Sequence, residues 1–247
     1  KVQFGFAGAV SLVGWSLSGI EGIAFNAAGN TVTLDAATLA QFTTFIGGVA
    51  KVDTLQLSGS GGSSLDLSGK SLTSLDKLSV LAGDTVTVGA GTFAGLAALT
   101  GVNGTTANTL GLGAGADVSL AATVLSTTGK GGKDWTVQFD GGGNALTVNQ
   151  ADLAFIDSLI GGAGTDTLRL ATGETALNLT GVTLSGIEVI DLGAGNDKVG
   201  GSLTLTSADL AAMSGLTTIT GSTTVKGVGA DTVTVKLAAA GALDLSG

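Results

Sequence analysis

Residues 161–169 read GGAGTDTLR: two glycines, a third two places on, then Asp166, then Leu168 at the head of an alternating apolar run. Each part has a physical reason. Glycine tolerates positive φ, so the backbone can curl and bring its carbonyl oxygens together. The aspartate adds a hard anionic oxygen, and the leucine two places later drops into a core. The same form recurs at 193–199 (GAGNDKV), 227–233 (GVGADTV) and 113–117 (GAGAD), and in reduced form at 82–86 (AGDTV) and 51–55 (KVDTL). The acids of these turns are Asp53, Asp84 and Asp117, then Asp166, Asp197 and Asp231, at nearly equal intervals within each trio.

The turns sit in a duplicated chain. GNTVTLDAATLAQFTTFIGG (29–48) aligns without gaps to GNALTVNQADLAFIDSLIGG (143–162). The match continues through DTLQL and DTLRL, and through LDLSGKSLTSLDKL and LNLTGVTLSGIEVI. This divides the chain into a strand-rich segment (1–28), a first repeat unit (29–142) and a second (143–247). Each unit is itself internally similar: 85–104 and 202–221 carry the same pattern of a short alternating strand followed by small residues with apolar positions three or four apart. That spacing predicts helices of two to three turns over Leu39, Phe42 and Ile46; Phe93, Leu96 and Leu99; Leu153, Ile156 and Leu159; and Leu210, Met213 and Leu216. Asp35, Asn149 and Thr206 or Ser207 stand as N-caps.

Many short period-two strands, a fixed repeat and no proline predict a mainly β fold with short helices, a parallel β-solenoid. Tandem β-sandwiches are the alternative, though they carry more aromatics than two Trp and eight Phe. If one coil matched the acid spacing, Asp53, Asp84 and Asp117 would stack in one column and Asp166, Asp197 and Asp231 in another. Carboxylates about 4.8 Å apart repel unless a cation or proton intervenes. The simpler alternative is that each Asp hydrogen-bonds its own loop.

Composition narrows the chemistry. The 247 residues include 43 Gly and no Cys, His, Pro or Tyr, and Arg169 is the single arginine. There is no disulfide framework, no thiolate metal site and no histidine base. A net charge of −9 opposes nucleic acid and anionic membrane surfaces. Only Glu21, Glu174 and Glu188 of the 19 acids are glutamate, and the aspartate excess suits turns and hard-cation sites alike. The uncharged run Phe4–Ile20 holds four Gly and three Ser and reads as buried strands and turns, so no membrane span is expected. A start at Lys1 suggests a processed product or fragment, and neither end carries a polar capping helix.

GGAGTDTLR resembles the calcium-binding nonapeptide G-G-x-G-x-D-x-U-x of RTX proteins. Gly161, Gly162, Gly164, Asp166 and Leu168 fill its positions; the next turn departs at Leu192 and keeps Gly193, Gly195, Asn196 and Asp197. The stretch GIEVIDLGAGNDKV (186–199) is similar to linker repeats of large type I-secreted surface proteins of Gram-negative bacteria, S-layer proteins and adhesins among them. The strict motif covers nine residues, the looser likeness most of the chain. The resemblance implies secretion without disulfides, Ca²⁺-dependent folding outside the cell and a β-roll or β-solenoid. Candidate metal positions are then Gly161, Gly162, Gly164, Asp166, Gly193, Gly195, Asn196, Asp197, Asp231, Asp117 and Asp84. RTX turns run in tandem, whereas these are isolated, so a full Ca²⁺ shell requires stacking.

The expected role is structural: self-assembly into a calcium-dependent surface layer or matrix array, with further copies of the chain as partners and cell-surface polysaccharide as another. A repeat region of a surface adhesin is the second reading. A polysaccharide-active solenoid enzyme, using a carboxylate pair or Arg169 beside Asp166, is the third. No catalytic residue is assigned.

Overall fold

A computed structural model describes residues 1–4, 7–25, 29–48, 52–59, 61–129, 132–193, 202–206, 209, 216–220 and 234–237. The chain is a parallel β-solenoid with about 6% helix, as the repeat and the strand pattern predict. Every strand pair described is parallel, and strands hydrogen-bond to those one coil before and one coil after. The sandwich alternative, built from antiparallel pairs, is not what forms.

Three faces wrap the core. The second face begins with six strands in order along the axis: Gly8–Ser11, Asn30–Leu34, Thr54–Leu57, Leu75–Ser79, Leu96–Val102 and Val124–Thr128. The third carries Ser64–Asp66, Thr85–Val88, Asn108–Leu112, Trp135–Phe139, Ile156–Ile160 and Thr183–Ser185. The first face starts with Val2–Gln3, Gly22–Ala24, Thr44–Ile46 and Ser71–Thr73 and resumes with Asp117–Ser119, Ala145–Val148, Thr167–Leu170, Val189–Asp191 and Thr218–Thr220. Ala176–Asn178, Ser202–Leu205 and Thr234–Leu237 form a further parallel sheet.

Period two explains the register. Val32, Leu55, Leu78, Leu99 and Leu125 stand in one inward column, and Leu65, Val86, Leu110, Val137, Leu159 and Leu184 in another. All but Leu65 and Leu184 have no exposed surface. A one-residue slip in any coil would turn its column residue to solvent. The core is one cluster running from Phe4 to Leu205, and the third-face sheet crosses the start of the second sequence copy without a break. The two sequence copies are thus consecutive stretches of one solenoid core.

Coil length corrects one expectation. Thr31 pairs with Thr54, and Thr54 in turn with Lys77, so each of these pairs marks one full coil. The interval from Asp53 to Asp84, or from Asp84 to Asp117, is therefore one coil and about a third. Asp53 precedes a second-face strand, Asp84 a third-face strand, and Asp117 opens a first-face strand. These three acids lie on three different corners and make no column. Asp197 and Asp231 lie outside the described residues, so the second trio is represented by Asp166 alone.

The helices are also shorter than their spacing suggests. One α-turn spans Ala36–Ala40, and 3-10 turns span Thr92–Gly95 and Asp152–Ala154. Ile46, Leu96, Leu99, Ile156 and Leu159 fall in the strands that follow; Leu210 and Met213 lie outside the described residues. The three-residue spacing comes from a single helical turn running into a strand. A slot in a parallel ladder gives that strand's N–H groups their acceptors, while a two-turn helix would have to bear its nucleation cost on an Ala/Gly-rich segment. Asp35 caps its helix as expected, its Oδ1 accepting the Thr38 N–H at 2.7 Å. Asn149 does not cap; instead Asp152 accepts the Asn149 N–H at 3.0 Å. Thr206 and Asp209 form a reciprocal capping box, with bonds of 2.7 and 3.0 Å.

These turns occupy successive faces. Ala36–Ala40 packs on Ser64–Asp66, Thr92–Gly95 on Ser71–Thr73 and Asp117–Ser119, and Asp152–Ala154 on Val124–Thr128. Those neighbours belong to the third, first and second faces in turn, so each helical turn moves round by one face relative to the last.

Candidate functional site

The glycine–aspartate turns form the corners between faces. At the corner before the second face, Asp53 Oδ1 accepts the Asn30 N–H at 2.8 Å, its Oδ2 accepts the Gly48 N–H at 2.5 Å, and the Asp53 N–H donates to Asp76 Oδ2 at 2.7 Å. At the corner before the first face, Asp166 Oδ1 accepts the Asn144 N–H at 2.8 Å, its Oδ2 accepts the Gly162 N–H at 2.7 Å, and the Asp166 N–H donates to Glu188 Oε2 at 2.8 Å. The two arrangements are the duplicated stretches of the sequence: Asn30 and Asn144, Gly48 and Gly162, Asp53 and Asp166, Asp76 and Glu188. Asp84 does the same on the third face, accepting from Ser63 N–H at 2.9 Å and Leu81 N–H at 2.8 Å.

Each carboxylate thus joins its own loop to the preceding coil. Asp53 and Asp166 are fully buried and Asp84 nearly so. A buried anion is tolerated because charge-assisted bonds from backbone N–H groups replace its hydration. The own-loop hydrogen bond expected as the simpler alternative is present, and an inter-coil bond accompanies it.

Glycine allows this corner to close. A Cβ on Gly161 would run into the Gly186 carbonyl, and one on Gly47, its counterpart in the first copy, into the Ser74 carbonyl. Gly162 abuts the Asp140 carbonyl, and Gly164, at φ +112°, abuts Gly143 N.

The other candidate positions differ. Asp117 is exposed and takes Arg169 Nη1 at 3.5 Å, while Arg169 Nε donates to Asp191 Oδ2 at 3.1 Å. Arg169 therefore lies between two carboxylates on the outer side of the first face. It does not pair with Asp166, whose oxygens face inward. Gly193 donates its N–H to Asp191 Oδ1 at 3.1 Å. Gly195, Asn196, Asp197 and Asp231 lie outside the described residues.

A cation at Asp84 or Asp166 would share each carboxylate oxygen with a backbone N–H: every one of the four oxygens already accepts one, which leaves one lone pair apiece in a buried setting. Among the described residues no three His, Cys, Asp or Glu side chains converge. At the same corner as Asp166, however, two buried oxygens have no hydrogen-bond partner, Asp140 Oδ1 and Asn144 Oδ1. Asn144 is 2% exposed; its Nδ2 donates to the Gly113 carbonyl at 2.6 Å. Sequence reading missed both residues because DGGGN (140–144) holds asparagine where the nonapeptide has aspartate. The signal available was its alignment, one coil earlier, with GGAGTD.

A second buried acid lies on the third face. Asp134 Oδ2 accepts from Asn108 Nδ2 at 2.9 Å. Burial pushes the Asp134 carboxyl above the usual carboxylate range, the Asn108 bond pulls it back, and Asp157 adds a further upward push. The folded chain therefore holds this proton more tightly than the unfolded chain, and Asp134 is a penalty at neutral pH that acidification relieves. Asp134→Asn keeps an acceptor for Asn108 and is expected to raise the melting temperature at pH 7. The gain should shrink as pH falls through the carboxylate range, which thermal melts across pH will read.

The chain matches no protein-family model, no curated protein and no solved structure.

Proposed function

We propose that this chain is an extracellular structural protein that assembles with copies of itself into a calcium-dependent surface layer or matrix array, akin to the type I-secreted surface proteins of Gram-negative bacteria that its nonapeptide resembles. The observation that carries the proposal is where the reactive side chains go. Asp53, Asp84 and Asp166 are engaged by the protein's own backbone, and Arg169 is held by Asp117 and Asp191. The outer faces are paved with short hydroxyl side chains. Ser64, Thr85, Thr109, Thr136, Ser158 and Thr183 stand in one column across all six strands of the third face, with Ser158 Oγ donating to Thr136 Oγ1 at 3.0 Å. Such a face repeats every coil at the strand spacing of about 4.8 Å, so a second copy can meet it in register.

Net charge −9 opposes close packing of copies, and a bridging cation relieves that opposition. Among the described residues no helix is long and apolar enough to cross a membrane. The hydroxyl column also favours a second reading, an adhesin repeat that lays the same face along a cell-surface polysaccharide. The enzyme reading would need Arg169 to leave both carboxylates.

Light scattering and electron microscopy across a calcium titration test the proposal. Ordered growth with calcium, reversed by chelator, is the expected result. A monomer at every calcium concentration that binds polysaccharide supports the adhesin reading, and turnover of a polysaccharide overturns both.

A further inference from the structure

Residues 103–107, NGTTA, hold the one asparagine of the chain that is followed by glycine. We propose that Asn103 is a site of spontaneous deamidation, its side chain closing on the Gly104 nitrogen and opening with water to aspartate and isoaspartate. Water is the only co-reactant, and neither calcium nor assembly enters.

The fold requires the glycine and leaves its nitrogen open. The segment carries the chain from the second face, whose strand ends at Val102, to the third, whose strand begins at Asn108. A Cβ at 104 would fall 2.5 Å from the Ala82 Cβ of the preceding coil. The segment is anchored at its two ends: the Asn103 N–H donates to the Thr128 carbonyl at 2.9 Å, and the Asn108 N–H to the Asp134 carbonyl at 2.8 Å. Between them, among the described residues, the N–H groups of 104–107 have no acceptor in the protein. Gly104, Thr105 and Thr106 are exposed. The attacking nitrogen is thus held by no carbonyl, open to hydroxide and unshielded by a side chain of its own.

The other described asparagines lack this combination. Asn108, Asn144 and Asn178 precede Thr109, Ala145 and Leu179, whose N–H groups donate to the carbonyls of Asp84, Ala116 and Thr204. Asn30 precedes Thr31 inside the strand Asn30–Leu34. Asn149 precedes Gln150, whose side chain crowds the attack.

Asparagine is among the thermolabile side chains, and the step balances without an oxidant or a metal. Gly104 N gives its proton to hydroxide and bonds to Asn103 Cγ. The Cγ–Nδ2 bond breaks, and that nitrogen takes a proton from water and leaves as ammonia. Water then opens the cyclic imide. Cleavage between Gly104 N and Cγ yields aspartate. Cleavage between Gly104 N and the Asn103 backbone carbonyl carbon yields isoaspartate, whose main chain is longer by one methylene. The stretch 104–107 can take up that methylene because it makes no backbone bond that must break. Either product adds one negative charge to the −9 of the chain.

The full chain is held folded in EDTA at mildly alkaline pH, and in parallel unfolded in denaturant, and followed by ion exchange and peptide mass mapping. In the folded chain Asn103 should exchange NH for O, with isoaspartate among the products, at a rate that rises with hydroxide. The other described asparagines should keep their amides. The aged, more acidic fraction should melt close to the fresh chain. Asn103→Gln, which must close a larger ring, should lose that fraction, and Asn103→Asp should elute with it. An Asn103 that keeps its amide in the folded chain, whether or not it converts in denaturant, overturns the site. So does conversion of Asn30, Asn108 or Asn144 in the folded chain at the same rate.

Discussion

Asp166→Ala will lower the stability of the folded chain by about 1–3 kcal/mol, because the buried Asn144 N–H loses its acceptor and a buried orphan costs about that much, while the N–H of exposed Gly162 can turn to water. Asp53→Ala should cost the same for the same reason, through Asn30 and Gly48. The contrast is Asp117→Ala. That carboxylate is exposed and its partner Arg169 keeps Asp191, so the loss should stay within about 1 kcal/mol. Denaturant unfolding of the three variants in EDTA, which removes any calcium contribution, gives the ordering. A corner lock predicts two large losses and one small one, whereas a set of surface turn acids predicts three small ones.

Gly161→Ala and Gly47→Ala should each cost about 3 kcal/mol or more. At both corners the obstacle to a Cβ is a backbone carbonyl of the next coil, of Gly186 or Ser74, and backbone in a ladder cannot rotate aside as a flexible side chain can. The coils would have to part at the corner where the aspartate locks them. Gly69→Ala provides the comparison: nothing lies within 4 Å of a Cβ there, so the change should be neutral or stabilising by up to about 1 kcal/mol. Melting temperatures of the three variants check this directly.

The solenoid is legible in the sequence because its two strongest signals are local. Alternation in stretches such as NTVTL and TVTV names the inward residues, and the gapless copy of 29–48 at 143–162 announces a repeat. The length of a coil is not legible. The turn acids recur at a longer interval than the ladder advances, as the pairing of Thr31 with Thr54 shows beside the step from Asp53 to Asp84. Nothing local distinguishes one coil from one coil and a third. The duplication conceals the same offset: Asn30 lies at a second-face corner and Asn144 at a first-face corner. Apolar spacing overstates helix length for a related reason. In DAATLAQFTTFI the spacing of Leu39, Phe42 and Ile46 reads as a helix, yet one helical turn there enters a strand, because the neighbouring coils hold a ladder position open for Thr44–Ile46.

The candidate site divides similarly. Asp166 and its glycines are conspicuous in sequence, and the structure gives them a mechanical task. Asp140 and Asn144 are inconspicuous, since their turn, DGGGN, holds asparagine where the nonapeptide has aspartate, and only the folded coils show which of their oxygens lack a partner. A motif reports which residues suit a chemistry; the register decides which of them keep a free oxygen.

Native-state hydrogen exchange at single amides tests most directly whether buried aspartates lock the corners. In EDTA the amides of Asn30, Gly48, Asn144 and Gly162 should be protected like those of the core strands. In Asp166→Ala, Asn144 and Gly162 should lose protection by about a hundredfold or more while Asn30 and Gly48 keep theirs. Exchange of all four amides in the wild type at the rate of open glycine loops would contradict it.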